Sequence, residues 1–240
     1  MVPFFVRKDN MKQIQFEIGN IPAVVYGDQS DRVYLYLHGQ GGNKEEALEF
    51  SEYACTKGYQ VVSIDFPEHG ERRDQARFVP WDVEPELKAV LSWIKERWNQ
   101  ISIRAVSIGV WFSLCAFEKE TFACCLYSSP LLDMNVMIDG LMQEHGVDEE
   151  MLKEKQEISY EDGTVLSWKY LMYARKHPVR SLSLNTHILY PKEDGMIPYE
   201  TVRRFAEDNE CTLDVVEDAH HWIHLAKEVE AMHAWVGRYL

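Results

Sequence analysis

Short apolar, β-rich runs alternate with amphipathic stretches along most of this 240-residue chain. Gln13–Ile18 and Pro22–Tyr26 are two β-like runs, and Arg32–Leu37 reads as a buried strand. That strand stops at His38-Gly-Gln-Gly-Gly42, after which Asn43 offers an N-cap for a helix over about 44–57 that Gly58 ends. Gln60–Ile64 is another buried strand, and it runs into the turn-forming loop Asp65-Phe-Pro-Glu-His-Gly70. Over 85–98, Leu87, Val90, Leu91, Ile94 and Trp98 share one helical face with Glu and Lys opposite. Ile101–Val106 predicts a strand, 110–117 a buried helix and Phe122–Tyr127 a strand. Asn185–Tyr190 is a strand, 199–209 a helix and Thr212–Val216 the last strand. A final helix carries Leu225, Val229, Met232, Val236 and Leu240 on one stripe.

Strands alternating with helices at this spacing predict a three-layer αβα fold around a mostly parallel sheet. Reacting groups should then lie in loops beyond the carboxyl ends of the strands. Residues 130–180 interrupt the alternation. They hold Met134, Met137, Met142, Met151 and Met172 beside Trp168, Tyr170 and Tyr173, with acidic residues between them. The expected organisation is a core of 1–129 and 181–240 with a small helical cap at 130–180. Met137, Met142, Trp168 and Tyr170 either line an apolar substrate pocket or pack the cap onto the core.

The composition fits one globular domain, and a net charge of −14 disfavours nucleic acid and anionic membranes as partners. No apolar run approaches the ~20 residues that cross a bilayer, and Met1–Lys8 makes a poor secretion signal. The five cysteines lack C-x-x-C spacing and read as buried reduced thiols, which points to the cytoplasm. Oligomeric state is not legible.

A serine hydroxyl becomes a nucleophile only with a base, a group that orients the base, and donors for the oxyanion. Ala105-Val-Ser107-Ile-Gly109, between a strand and a buried helix, offers Ser107, which could equally be a helix N-cap. The glycines after His38 let backbone N–H groups turn outward, so Gln40 and Ile108 are the candidate oxyanion donors. That loop lacks both G-x-G-x-x-G and a following Gly-Lys-Ser/Thr, so no nucleotide cofactor is expected. Asp194 follows a predicted strand and could orient an imidazole or simply shape the turn before Gly195; Asp133 is the reserve and Glu193 should point elsewhere. His221 is the preferred base in Asp218-Ala-His-His-Trp-Ile-His224, ahead of His220 and then His224, which should begin the last helix. No second ligand cluster accompanies these histidines, so no metal is expected. The chain order Ser, Asp, His, each just after a strand, is more specific than any one of these signals.

At these residues the sequence resembles the α/β-hydrolase superfamily, over nearly its whole length. His38-Gly-Gln-Gly-Gly42 is similar to the family's oxyanion loop, and Asp65-Phe-Pro-Glu-His-Gly70 to its Asp-x-Pro-Gly-His-Gly loop with Glu68 in place of a glycine. Ala105–Gly109 resembles the nucleophile elbow with alanine in place of the first glycine. Leu189–Asp194 resembles the acid loop, and His221-Trp222 the terminal histidine before an aromatic. The resemblance implies about eight core strands, a cap after the sixth, and His221 over His220. The expected activity is that of a serine carboxylesterase on small to medium acyl esters. Hydrolysis of thioester, amide or carbon–carbon bonds, or a non-catalytic binding role, are the alternatives.

Overall fold

The structure is a computed structural model that describes residues 11–72 and 76–240. The reading of Met1–Lys8 lies outside the described residues.

Eight strands form one sheet in the order β1-β2-β4-β3-β5-β6-β9-β10. They are β1 (Gln13–Ile18), β2 (Ile21–Tyr26), β3 (Arg32–Leu37), β4 (Gln60–Ile64), β5 (Gln100–Val106), β6 (Cys125–Ser128), β9 (Thr186–Pro191) and β10 (Thr212–Val216). β1 pairs antiparallel with β2, and β2 with β4; every other pairing is parallel. The parallel strands are apolar on both sides because helices cover both faces. Along β3, Val33, Leu35 and Leu37 join one core while Tyr34 and Tyr36 join the other, the period-2 alternation a strand imposes. α1 (Ala47–Ala54) and α8 (Ala226–Tyr239) supply the second core; α2 (Pro80–Lys95), α3 (Ile108–Ala116) and α7 (Tyr199–Asp208) supply the first.

Between β6 and β9 lie α4 (Met134–Glu144), α5 (Glu149–Lys155), a two-stranded hairpin of β7 (Glu157–Ser159) and β8 (Val165–Ser167), and α6 (Trp168–Lys176). The insertion holds three helices, as a small helical cap requires, and adds the hairpin to them. Its turn is built by Asp162, which accepts from Thr164 N–H at 2.8 Å, and by Gly163 at φ +89°. Helix α6 fastens to the core through aromatic rings. Tyr170 and Tyr173 each meet both Trp81 of α2 and Trp111 of α3, at centroid distances of 5.8–6.2 Å.

Two other boundaries differ from expectation. Helix α2 begins at Pro80, whose fixed φ suits a first helical position, and it carries Pro85 inside its second turn. The last helix starts at Ala226, so His224 stays in the preceding loop. Among the described residues, no helix is long and apolar enough to cross a membrane.

Candidate active site

Strand β5 and helix α3 meet at Ser107, whose backbone sits at φ +51°, ψ −123°. A non-glycine residue there carries strain of about 1–3 kcal/mol, which the surroundings must hold. Ser107 N–H donates to Ser128 O at 3.1 Å, and Ser107 O accepts from Val110 N–H at 3.1 Å and Leu131 N–H at 3.2 Å. The buried Arg104 guanidinium donates to Ala105 O, Leu126 O and Ser128 Oγ, tying the ends of β5 and β6 together. The turn is tight enough to need Gly109: a Cβ there would lie 2.5 Å from His38 O and 2.8 Å from Leu37 O. Gly109→Ala is therefore expected to destabilise the fold by about 2–3 kcal/mol, read as a lower denaturant midpoint. A midpoint equal to wild type would mean that elbow and β3 loop do not press together.

The elbow presents Ser107 Oγ to the imidazole of His221, with Nε2 at 2.8 Å. His221 Nδ1 lies 2.7 Å from Asp194 Oδ2. Since an ionised carboxylate only accepts, Nδ1 carries the proton and Nε2 is left to accept from the serine hydroxyl. Asp194 follows β9, and its carboxylate is fully buried while His221 keeps 16% of its side chain exposed. Asp194 Oδ1 accepts from the N–H groups of Met196 (2.8 Å) and Ile197 (2.9 Å). Shaping the turn and orienting the imidazole, alternatives in the sequence, are thus both done here by separate oxygens of one carboxylate.

The other candidates lie elsewhere. Asp133 caps α4, accepting from the N–H groups of Asn135 and Val136. Glu193 is exposed. The His220 ring pairs with Glu228, and His224 Nδ1 donates to Trp222 O at 2.7 Å. Among the described residues no group of three or more His, Cys, Asp or Glu side chains is placed to hold a metal ion.

Gly39 brings the β3 loop against the elbow, where a Cβ on it would stand 3.3 Å from Ser107 Cβ. Gln40 and Ile108 flank this approach, and neither N–H donates to an acceptor among the described residues. Two imidazoles lock the loop in place. His38 Nδ1–H donates to Gly39 O (2.8 Å) while its Nε2 accepts from Phe66 N–H (3.2 Å). Reciprocally, His69 Nδ1–H donates to Pro67 O (2.7 Å) while its Nε2 accepts from Gly41 N–H (2.9 Å). Each loop thus donates a backbone N–H to a histidine of the other, and both rings must be neutral. The partner loop is itself pinned by buried Asp65, which accepts from Lys44 Nζ at 3.0 Å and from the N–H groups of Lys44 and Glu71. Gly70 at φ +54° lets that carboxylate approach, while Glu68 takes φ +65° where the resembling loop has glycine.

Burial pushes the His38 pKa down from 6.5 to about 4. The unfolded chain takes up this proton near pH 6.5 and the folded chain only near 4, so stability is complete above 6.5 and falls between the two. The expected loss is about 3 kcal/mol, measurable as a falling denaturant midpoint from pH 7 to 4. Replacing His38 by asparagine should remove that part of the slope; an unchanged slope would refute the assignment.

For the pocket candidates the structure gives packing roles. Met142 is buried in the core, Met137 and Trp168 pack half-buried against it, and Tyr170 belongs to the aromatic cluster under α6. None of the four is hydrogen-bonded to, or in ring contact with, Ser107 or His221 among the described residues. Sequence reasoning missed Arg104, Ser129 and Glu228. Of these only Glu228 left a trace, as an acidic residue in the first turn of the last helix.

No protein-family model matches the chain, and no curated protein matches it by sequence. Solved structures do match. Est1E of Butyrivibrio proteoclasticus, in a structure with ferulic acid bound, superposes with a TM-score of 0.70 at 18% identity over 94% of this chain and 97% of that one. An esterase of Pyrococcus furiosus gives a TM-score of 0.66 at 19% identity over 100% and 95%. The mouse α/β-hydrolase domain-containing protein 10 gives 0.70 at 14% identity over 95% and 97%.

Proposed function

We propose, from the α/β-hydrolase fold that this chain has, that it is a serine hydrolase acting on carboxylic esters with small to medium acyl groups through an acyl-enzyme. The observation that carries this reading is the hydrogen-bonded series Ser107 Oγ–His221 Nε2–Asp194 at 2.8 and 2.7 Å, set on a strained elbow. In this reading His221 Nε2 takes the hydroxyl proton as Ser107 Oγ attacks the carbonyl carbon. Asp194 steadies the imidazolium that results. The N–H groups of Gln40 and Ile108 receive the developing oxyanion, each contributing on the order of 3 kcal/mol to the barrier reduction. His221 then hands its proton to the departing alcohol, and water releases the acyl group by the same steps in reverse roles.

The fold resemblance to proteins described as esterases supports an ester as the cleaved bond. Exposed Met196 and Trp222, two residues beyond Asp194 and one beyond His221, set apolar surface next to the base and favour an uncharged substrate. The test is a panel of p-nitrophenyl esters, thioesters and anilides of matched acyl groups, with acyl length then varied. Esters of short to medium chains should turn over fastest. Faster thioester or anilide turnover would move the assignment to that bond.

A further inference from the structure

We infer that Glu228 and Ser129 are positioning residues that hold the His221 loop against Ser107; this rests on the hydrolase reading above. Glu228 is the third residue of α8, and its carboxylate is only 3% exposed. Oε1 accepts from His220 N–H at 3.1 Å and from His220 Nδ1–H at 3.0 Å. Oε2 accepts from His224 N–H and Leu225 N–H, both at 3.0 Å. One carboxylate therefore bridges the two ends of the stretch that contains His221. Starting the helix needs only the bond to Leu225, its N-cap; the bonds to 220 and 224 do something else. They close the loop from both sides of the base.

Ser129 acts at the base itself. It stands at the exit of β6 at φ +46°, and its Oγ–H donates to His221 O at 2.8 Å. The main chain of His221 is thus held before, at and after the residue, while Asp194 holds the ring. The bond from the His220 ring, with the three backbone donors, holds the Glu228 pKa down at about 2, so the clamp is ionised throughout the neutral range. A displacement of about 1 Å at such a base costs on the order of a hundredfold in rate. Among the described residues, no other group is hydrogen-bonded to both ends of this loop.

Glu228→Gln keeps the shape but presents an N–H pair to one set of backbone donors, so half the clamp is lost. The experiment follows three readouts on the full chain: kcat and KM on an aryl ester, the rate of fluorophosphonate labelling, and the far-downfield proton resonance of the His221–Asp194 hydrogen bond. The expected result is a fall of at least about tenfold in kcat and in labelling rate, KM within about twofold, and a broadened or absent resonance below the melting temperature. Ser129→Ala, which acts on a different bond, should show the same pattern more weakly, and it decides the matter if Glu228→Gln does not fold. A folded variant that melts earlier yet keeps its resonance and labelling rate would overturn the inference, because stability alone would then be at stake. Wild type that resists labelling while the resonance still depends on Glu228 would sink the hydrolase reading and uphold the positioning.

Discussion

Ser107→Ala is expected to lower ester hydrolysis by at least four orders of magnitude, roughly the effect of removing the nucleophile from a serine–histidine–carboxylate unit. Its Oγ is hydrogen-bonded only to His221 Nε2 among the described residues, so its removal leaves the elbow's backbone bonds to Val110, Ser128 and Leu131 in place. Alanine carries the same Cβ at φ +51° that serine does, so backbone strain does not change. The variant should therefore melt close to wild type and still bind substrate. Circular dichroism and steady-state kinetics separate the two outcomes. Activity within tenfold of wild type in a folded Ser107→Ala chain would remove the serine from the chemistry.

Asp194→Asn is expected to cost about ten-thousandfold in kcat with little change in the fold. The asparagine Oδ1 can still accept from the N–H groups of Met196 and Ile197, which preserves the turn. Its Nδ2 then faces His221 Nδ1, where Asp194 Oδ2 stands now at 2.7 Å. A donor there forces Nδ1 to accept and moves the imidazole proton to Nε2. The tautomer can no longer take the proton of Ser107. Asp133→Asn keeps an acceptor for the N–H groups of Asn135 and Val136 and should change kcat little, so a loss confined to the 194 variant checks which aspartate orients the base. Equal losses in both would contradict the geometry.

Much of this fold is legible in the chain because burial on both faces leaves a simple trace. Arg32–Leu37 and Gln60–Ile64 match their strands end for end, since polar or turn residues bound each apolar run. Helix α2 was harder to delimit. The expected face covers 85–98, while the helix opens at Pro80 and carries Pro85 inside at the cost of one i→i−4 hydrogen bond. The β7–β8 hairpin hid within an acidic stretch whose Asp162-Gly163 pair is its turn.

Ser107, Asp194 and His221 were readable because each follows a strand of one parallel sheet, so topology alone brings them to one edge. Positioning groups carry no such mark. Ser129 acts by one contact and Glu228 by four, all of which depend on how loops close in three dimensions, and Arg104 looks like any polar residue in a strand. Methionines and aromatics in the cap could equally have lined a pocket, because apolar packing and apolar binding draw on the same side chains. Only the ring contacts under α6 tell them apart for Tyr170.

Peptide mapping after fluorophosphonate treatment of the intact, folded chain is the most direct measurement. The expected result is a single phosphonyl group on the peptide holding Ser107, absent when the protein is unfolded before treatment. An adduct on any other hydroxyl, or a folded chain that stays unmodified, would contradict the assignment of Ser107 as the activated nucleophile.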